Sequence, residues 1–309
     1  MSPRMPEVIR LTLKSEDQCA RVKVFGLGSA GCNMIEGVPF PKVAVSTSST
    51  DLDRVSSDRR VLIGQDRLVG IYSSDKELLK HLPSVAGHEV VDVFNNTDLA
   101  FLMCGLGGVS GSLGAKVFSA VAQSRNALDI VLAATPFSAE SARRRDFASR
   151  MLKELRESST LCLEFGNDQL STLAPHMPMS RAFKLMNTIM ARPILDLCAA
   201  LPKTEIPRLK RTIGDASAGS FGLGIARGDD RVERAVSEAL SSPWFDFDLS
   251  GAACAIAVYS SSDPWDRELD GIVSLIEARM PAASLAVGSY ADPTLGDRIR
   301  LSLVLCRKA

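Results

Sequence analysis

Residues 21–34, RVKVFGLGSAGCNM, form a short apolar segment that runs into a G-x-G-x-x-G turn and then an asparagine. The turn matches the dinucleotide-binding fingerprint, in which glycines let the backbone approach a pyrophosphate at a helix N-terminus. That fingerprint also expects an acid at the end of the next strand, to hold the ribose. Here the next strand, in KVAVSTSSTDLD (42–53), ends at Ser46 and Thr47, and the nearest acid, Asp51, follows several residues later. The stretch therefore predicts a phosphate-binding turn on a parallel sheet, and favours a nicotinamide enzyme only weakly.

A second glycine-rich loop, CGLGGVSGSLGAK (104–116), follows another apolar strand. Glycines allow backbone N–H groups to face an anion, and the helix that begins there adds a partial positive charge. One such run is compatible with a flexible turn. Two runs that each follow a strand and open a helix favour a triphosphate held from two sides.

The alternation of apolar strands with amphipathic helices predicts the fold class. It is typical of an α/β protein with a parallel sheet and helices on both faces, whose ligands bind at the carboxyl ends of the strands. The strands predicted in the first half are 21–27, 43–46, 60–63, 99–104, 128–134 and 159–163. The helices predicted there are 30–37, 75–81, 84–95, 110–124, 141–157 and 167–173.

A long helix predicted from Ser180 to Leu201 separates the two halves. Ser180 is its candidate N-cap, and Pro193 predicts a kink or a new helix start. The second half predicts a smaller α/β domain with strands at 219–226, 252–259, 284–289 and 298–305 and helices at 230–240 and 266–279. The predicted domains are a nucleotide-binding domain at 1–178 (with residues 1–20 as an N-terminal extension), a connecting core helix at 179–202 and a C-terminal α/β domain at 203–309.

Composition argues against several classes of protein. The chain has 309 residues, of which 46% are hydrophobic, enough for a sizeable core in two domains. Its 36 basic and 36 acidic residues cancel, so no nucleic-acid partner is predicted. No uncharged apolar run approaches the ~18 residues of a membrane span, and the seven cysteines show no metal-binding spacing. These features predict a cytoplasmic protein with no direct membrane span and no metal site built from its own side chains.

Several motifs in collinear order between residues 21 and 306 resemble those of the FtsZ/tubulin superfamily, and of FtsZ more than tubulin. GLGSAGCN, which ends at Asn33, resembles the first FtsZ loop G-x-G-G-G-G-x-N. GGVSGSL (107–113) resembles the signature loop G-G-G-T-G-T-G, with serines in place of both threonines. PFSAES resembles P-F-x-x-E-G, GND resembles P-N-D, and RAFKLMN contains A-F-x-x-x-N. ARGDDRVERAVSEALSSPWFDFDLSGA and DPTLGDRIRLSLVLC resemble two C-terminal segments of the family.

The resemblance implies an FtsZ/tubulin-like fold that binds GTP or GDP, with Mg²⁺ expected beside a triphosphate. By the same resemblance, Glu140 contacts the ribose, Asn167 and Asn187 contact the base, and Phe183 stacks on guanine. The candidate nucleotide-binding residues are Gly28, Ser29, Ala30, Gly31, Asn33, Gly107, Gly108, Val109, Ser110, Gly111, Ser112, Pro136, Glu140, Arg144, Asn167, Phe183 and Asn187.

The largest departure from the family lies in the loop after the long helix. FtsZ carries N-x-D-x-x-D there, and its two acids position the attacking water in the site of the neighbouring subunit. The matching stretch here is KTEIPR (203–208), in which Glu205 keeps one acid and Arg208 replaces the other with the opposite charge. Glu205 and Arg208 are therefore the candidate catalytic residues, acting on the neighbouring subunit. The alternatives for Arg208 are an arginine finger and a solvated surface charge.

By this resemblance the protein is an FtsZ-like, GTP-binding cytoskeletal protein that self-associates, and we expect filaments with weak or altered hydrolysis. One alternative is a non-polymerising nucleotide-binding regulator of the same fold, and a remote one is an NAD(P)-dependent oxidoreductase. Cell division, membrane remodelling and organelle positioning are all open as the process served. FtsZ proteins usually continue past the position of Ala309 with a linker and a tail that binds membrane adaptors, so adaptor proteins are further candidate partners.

Overall fold

The computed structural model describes residues 6–11, 19–73, 87–245 and 247–309. They form two compact units, an N-terminal unit of residues 20–191 and a C-terminal unit of residues 192–309 together with residues 6–11 and Cys19. The boundary between the units falls inside the predicted connecting helix. The predicted helix 75–81 and the first residues of the predicted helix 84–95 lie outside the described residues.

The strands are β1 (Val8–Leu11), β2 (Val22–Leu27), β3 (Lys42–Ser46), β4 (Arg59–Leu62), β5 (Leu99–Gly105), β6 (Leu128–Thr135), β7 (Leu161–Gly166), β8 (Ala218–Arg227), β9 (Cys254–Ser261), β10 (Ser284–Ala291) and β11 (Arg298–Arg307). The helices are α1 (Gly28–Met34), α2 (Ser49–Asp53), α3 (Gln65–Ser73), α4 (His88–Asp92), α5 (Val109–Ser124), α6 (Ala142–Ser158), α7 (Gln169–Leu173), α8 (Met179–Ala200), α9 (Ile206–Ile213), α10 (Arg231–Leu240) and α11 (Asp266–Arg279). Short 3-10 turns lie at Lys203–Glu205, Leu249–Gly251 and Pro293–Leu295.

The N-terminal unit is built on a parallel sheet with the strand order β7-β6-β5-β2-β3-β4, and this confirms the predicted α/β fold. Phe25 of the central strand β2 is fully buried and stacks on Phe94 with the ring centroids 4.5 Å apart. The register places Leu27 of β2 opposite Cys104 of β5. Because neighbouring parallel strands end on the same edge, the loops that follow β2, β3, β5, β6 and β7 share one edge of the sheet.

The C-terminal unit contains a mixed sheet in the order β1-β10-β9-β11-β8. Strands β1, β10 and β9 run parallel, and β11 is antiparallel to both β9 and β8. Strand β1 buries Ile9 and Leu11 in this unit. The sequence analysis did not predict β1 and assigned residues 1–20 to an extension of the first domain. Four residues carry too little alternation to identify a strand, and its partner lies more than 270 residues away.

The long helix differs from its prediction in two respects. It begins at Met179, so Ser180 lies inside it rather than at its N-cap, and it runs through Pro193 without a new helix starting there. Arg192 and Asp196, on either side of the proline, are joined by hydrogen bonds of 3.0 and 2.8 Å. These side-chain bonds stabilise the turn from which proline removes a backbone donor.

Among the helices that the structure describes, three were not predicted, namely α2, α3 and α9. The last of these matters for function, because residues 203–208 were predicted as a loop. In the structure Lys203–Glu205 is a 3-10 turn and Arg208 lies in the helix Ile206–Ile213.

Among the described residues, no helix is both long and apolar enough to cross a bilayer.

Candidate functional site

The two glycine-rich loops predicted from the sequence meet at one edge of the N-terminal sheet. Gly28, the first residue of α1, has a φ of +70°, and a Cβ added there would lie 2.7 Å from the backbone nitrogen of Gly111. A Cβ on Gly111 would lie 2.5 Å from the carbonyl oxygen of Gly105. Backbone therefore packs directly on backbone, and only glycine allows this approach. The interpretation of these runs as merely flexible turns does not account for such contact.

A third loop, which follows β3, joins this edge. The Thr47 hydroxyl lies 2.6 Å from the hydroxyl of Ser110, in the first turn of α5. Ser46, one residue earlier, donates a hydrogen bond to Asp51 at 2.8 Å. Sequence reasoning did not include Thr47 among the site residues. Its position just after a predicted strand was the available signal, since strands β2, β3 and β5 end at a common edge.

Helix α1 also shapes the first loop through Cys32, which is 1% exposed. Its thiol lies 3.5 Å from the carbonyl oxygen of Gly26. Burial raises the pKa of this thiol to about 11. The thiol is therefore protonated near neutral pH, and Cys32 acts as a small packing residue at the helix start.

The loops after β6 and β7 hold the predicted ribose and base contacts in defined positions. Glu140 accepts a hydrogen bond from the backbone nitrogen of Phe137 at 2.9 Å and pairs with Arg144 at 3.0 Å. Asp168, beside Asn167, accepts a bond from the backbone nitrogen of Ser138 at 3.0 Å. The bond between Ser138 and Asp168 joins the two loops, so Glu140 and Asn167 lie on loops that contact each other.

Arg144 also contacts the second glycine loop. A Cβ on Gly107, whose φ is +94°, would lie 2.6 Å from Cγ of Arg144. Gly107 also donates a backbone hydrogen bond to the Ser112 hydroxyl at 3.1 Å. The side chain of Arg144 thus lies against the loop that leads into α5.

Helix α8 brings the predicted base-binding residues to the same unit. Phe183 is 41% exposed, and its ring meets that of Phe137 edge-on with centroids 6.0 Å apart. Asn187, four residues later on the same face, donates a hydrogen bond to the backbone oxygen of Asn33 at 3.4 Å. An exposed aromatic face beside an amide is suited to stack on and bind a planar heterocycle.

The candidate catalytic residues lie in the C-terminal unit. Arg208 pairs with Glu7 at 2.6 Å and lies 3.9 Å from Glu205. The hydrogen bond to Glu7 raises the pKa of Arg208. In the parts of the chain that the structure describes, no three His, Cys, Asp or Glu side chains form a metal-binding group.

Comparison with known proteins is consistent with these observations. Residues 36–175 match the GTPase domain of the Tubulin/FtsZ family, and residues 217–307 match the C-terminal domain of the FtsZ family. The chain is 31% identical over 298 residues to cell division protein FtsZ 1 of Archaeoglobus fulgidus, covering 92% of this chain and 81% of that protein. It is 31% identical over 304 residues to cell division protein FtsZ of Methanothermobacter thermautotrophicus, with coverage of 94% and 80%.

Solved structures show the same likeness. An empty FtsZ dimer from M. jannaschii superposes with a TM-score of 0.80 at 25% identity, covering 94% of this chain and 89% of that one. A GTPγS-bound protofilament of CetZ2 from Haloferax volcanii has a TM-score of 0.72 at 21% identity, with 92% of both chains covered, and supports the fold alone. The family matches fall in both units and the relatives align over nearly the whole length, so the chain belongs to the tubulin/FtsZ family.

Proposed function

We propose that this protein binds GTP and GDP through its N-terminal unit and self-associates into filaments. The observation that carries the proposal is the direct contact between Gly28 of the first glycine loop and Gly111 of the second. This contact lies in the first turn of α5, a helix of 16 residues. Such a helix N-terminus attracts phosphate. Phe183 and Asn187 supply an aromatic face and an amide for the base, and Glu140 supplies a carboxylate for the ribose.

Membership of the tubulin/FtsZ family supports guanine rather than adenine nucleotides, and it gives no support to the oxidoreductase alternative. Relatives named cell division proteins, and solved structures named a dimer and a protofilament, support self-association. We propose a role in cell division in the cytoplasm. Mg²⁺ is part of the proposal, because a nucleotide-bound Mg²⁺ needs only one or two protein carboxylates and keeps several waters.

We further propose that hydrolysis is weak. Arg208 stands where the family has a water-positioning acid, and its guanidinium is paired with Glu7 and lies near Glu205 of its own chain. A guanidinium engaged in this way is less suited to act as an arginine finger on a neighbour. The non-polymerising regulator remains the second candidate, favoured by Lys203 and Arg208 in the same segment.

The test combines assembly with turnover. Light scattering and negative-stain microscopy are recorded with GTP, with GDP and without nucleotide, and phosphate release is followed over a range of protein concentrations. We expect filaments with GTP and slow phosphate release at every concentration. Turnover that rises with concentration contradicts weak hydrolysis. Binding of GTP without any assembly supports the regulator, and absence of GTP binding overturns the whole proposal.

Substitution of Phe183 by alanine tests the base-binding face. We expect GTP affinity to fall about tenfold, since aromatic stacking on a base contributes about 1–3 kcal/mol. Met179→Ala is the matched control, because Met179 lies one turn earlier on the same helix and is 56% exposed. Fluorescent-nucleotide titration measures both variants. Equal affinity in the two variants contradicts the assignment of Phe183.

A further inference from the structure

The segment that leads into β1 places an acid beside the candidate catalytic residues of the C-terminal unit. Glu7 accepts a hydrogen bond from Nη2 of Arg208 at 2.6 Å. Arg208 lies in α9, within the segment that by family resemblance acts on the neighbouring subunit. The N-terminal segment therefore contacts a group that the proposed reaction depends on.

The backbone of Glu7 is held by strand β10. Its carbonyl oxygen accepts a hydrogen bond from the backbone nitrogen of Leu285 at 2.8 Å, and its backbone nitrogen donates one to the hydroxyl of Ser284 at 3.4 Å. The strand that follows, β1, pairs with β10 and buries Ile9 and Leu11. The sheet therefore fixes where the Glu7 side chain starts, independently of its ion pair.

Helix α9, which carries Arg208, contacts the same strand. Ile206, Leu209 and Ile213 form the buried face of this helix, whereas the side chain of Arg208 is 39% exposed. Because β1 and α9 both contact β10, that strand sets the separation between them. The carboxylate of Glu7 and the guanidinium of Arg208 are thus brought together by the packing of the C-terminal unit.

Glu205 is a second acid near Arg208, and it is placed differently. Its Oε2 lies 3.9 Å from Nη1 of Arg208, which is close enough for an ion pair but too far for a hydrogen bond. In the part of the chain that the structure describes, this buried oxygen accepts no hydrogen bond. A buried acceptor without a donor is unfavourable. A shift of the guanidinium by about 1 Å would supply one.

The bond to Glu7 opposes this shift. A hydrogen bond between a guanidinium and a carboxylate belongs to the stronger class, because both groups are charged. The guanidinium is a rigid plane, so the position of Nη2 on Glu7 also limits where Nη1 can lie relative to Glu205. The two acids therefore compete for one arginine, and in this structure Glu7 holds it.

We propose that Glu7 is a positioning residue, which holds the Arg208 guanidinium away from Glu205 and leaves the Glu205 carboxylate available to orient water in the site of the neighbouring subunit. This inference rests on the proposed function. Without Glu7, Arg208 closes on Glu205, and a carboxylate that is hydrogen-bonded to a guanidinium is a weaker acceptor for water. Phosphoryl transfer depends on the positioning of the nucleophile, so turnover falls.

The experiment uses the full chain with Glu7→Ala, alone and combined with Arg208→Ala. Asp270→Ala is the matched control. Asp270 pairs with Arg10 of β1 and both side chains are more than half exposed, so its removal takes an ion pair from the same strand without touching Arg208. Phosphate release, GTP affinity and light scattering are measured for each variant. A crystal structure of the Glu7→Ala protein gives the distance between Arg208 and Glu205.

We expect kcat of Glu7→Ala to fall about fivefold, with GTP affinity and assembly unchanged. This factor corresponds to about 1 kcal/mol, the upper end for an exposed ion pair. We expect the double variant to recover part of the loss, because the cation that closes on Glu205 is gone. Asp270→Ala is expected to release phosphate at the wild-type rate. In the crystal, Arg208 is expected about 3 Å from Glu205.

The inference is overturned if Glu7→Ala turns over GTP as fast as the wild type or faster. A loss that the double variant does not reverse, or that Asp270→Ala shares, also overturns it, because the strand rather than Arg208 is then responsible. If the wild type binds GTP but releases no phosphate, the role in hydrolysis is overturned while nucleotide binding stands. If the wild type binds no GTP, the proposed function fails, and the crystal structure alone then decides whether Glu7 positions Arg208.

Discussion

Replacement of Gly111 by alanine is expected to weaken GTP binding about a hundredfold, equivalent to about 3 kcal/mol. A Cβ at this position would lie 2.5 Å from the carbonyl oxygen of Gly105 and 3.2 Å from that of Leu27. Both are backbone atoms, so no side chain can rotate away, and the start of α5 must move from the end of β5 and, by less, from the end of β2. Added atoms in such a packed position cost about 1–3 kcal/mol in stability as well. The displaced loop then presents its N–H groups to the phosphates in the wrong place.

Gly114→Ala provides the matched control for this prediction. Gly114 lies three residues further along the same helix, and a Cβ there would meet only the Cβ of Leu27 at an ordinary 3.7 Å. Alanine is favoured over glycine in a helix by up to about 1 kcal/mol, so this variant is expected to bind GTP normally. Fluorescent-nucleotide titration gives the affinities, and thermal unfolding gives the stabilities. If Gly111→Ala binds GTP as tightly as Gly114→Ala, the loop contact is not required for the site.

Replacement of Asp196 by alanine is expected to destabilise the C-terminal unit by about 3–5 kcal/mol, the usual cost of breaking a buried ion pair. Asp196 is 1% exposed, and it accepts hydrogen bonds from Arg192 at 2.8 Å, from the Tyr290 hydroxyl at 2.5 Å and from Ser302. Arg300, itself 6% exposed, lies 3.4 Å away. Without Asp196, Asp292 at 2.8 Å is the acidic partner that the described residues leave to the buried guanidinium of Arg300.

The control for Asp196 is Asp270→Ala, in the same unit. Asp270 pairs with Arg10, but the two side chains are 58% and 52% exposed. Exposed pairs contribute about 0–1 kcal/mol, so this substitution is expected to be nearly neutral. Urea unfolding, monitored by the fluorescence of the two tryptophans Trp244 and Trp265, which both lie in this unit, measures both variants. A loss below about 1 kcal/mol for Asp196→Ala is incompatible with a role of this buried network in stability.

The strands and helices of the N-terminal unit were largely predictable, because most of them carry a clear pattern within their own short segment of sequence. Strand β5 is a continuous apolar run, β6 is apolar except for Asp129 and Thr135, and α5 carries a helical pattern directly after a glycine-rich loop. The unpredicted elements have weak local signals. Helix α9 follows Lys203–Glu205 in a segment that family resemblance assigned to a loop, and strand β1 has only four residues.

The candidate site residues were chosen from motif order, and the structure places the nucleotide set in one unit. Thr47 was not identified in this way. Thr47 belongs to no motif, and its contact with Ser110 spans 63 residues of sequence.

The sequence by itself determined the fold class, the family resemblance and the positions of the two glycine-rich loops, because strand patterns and glycine motifs are properties of short segments. Only the tertiary structure decided which glycines are in contact, that Arg208 is paired with Glu7, 201 residues away, and that Asp196 is buried among Arg300 and Ser302. These facts depend on segments distant in the chain, whose approach is set by the packing of the whole unit rather than by any local pattern.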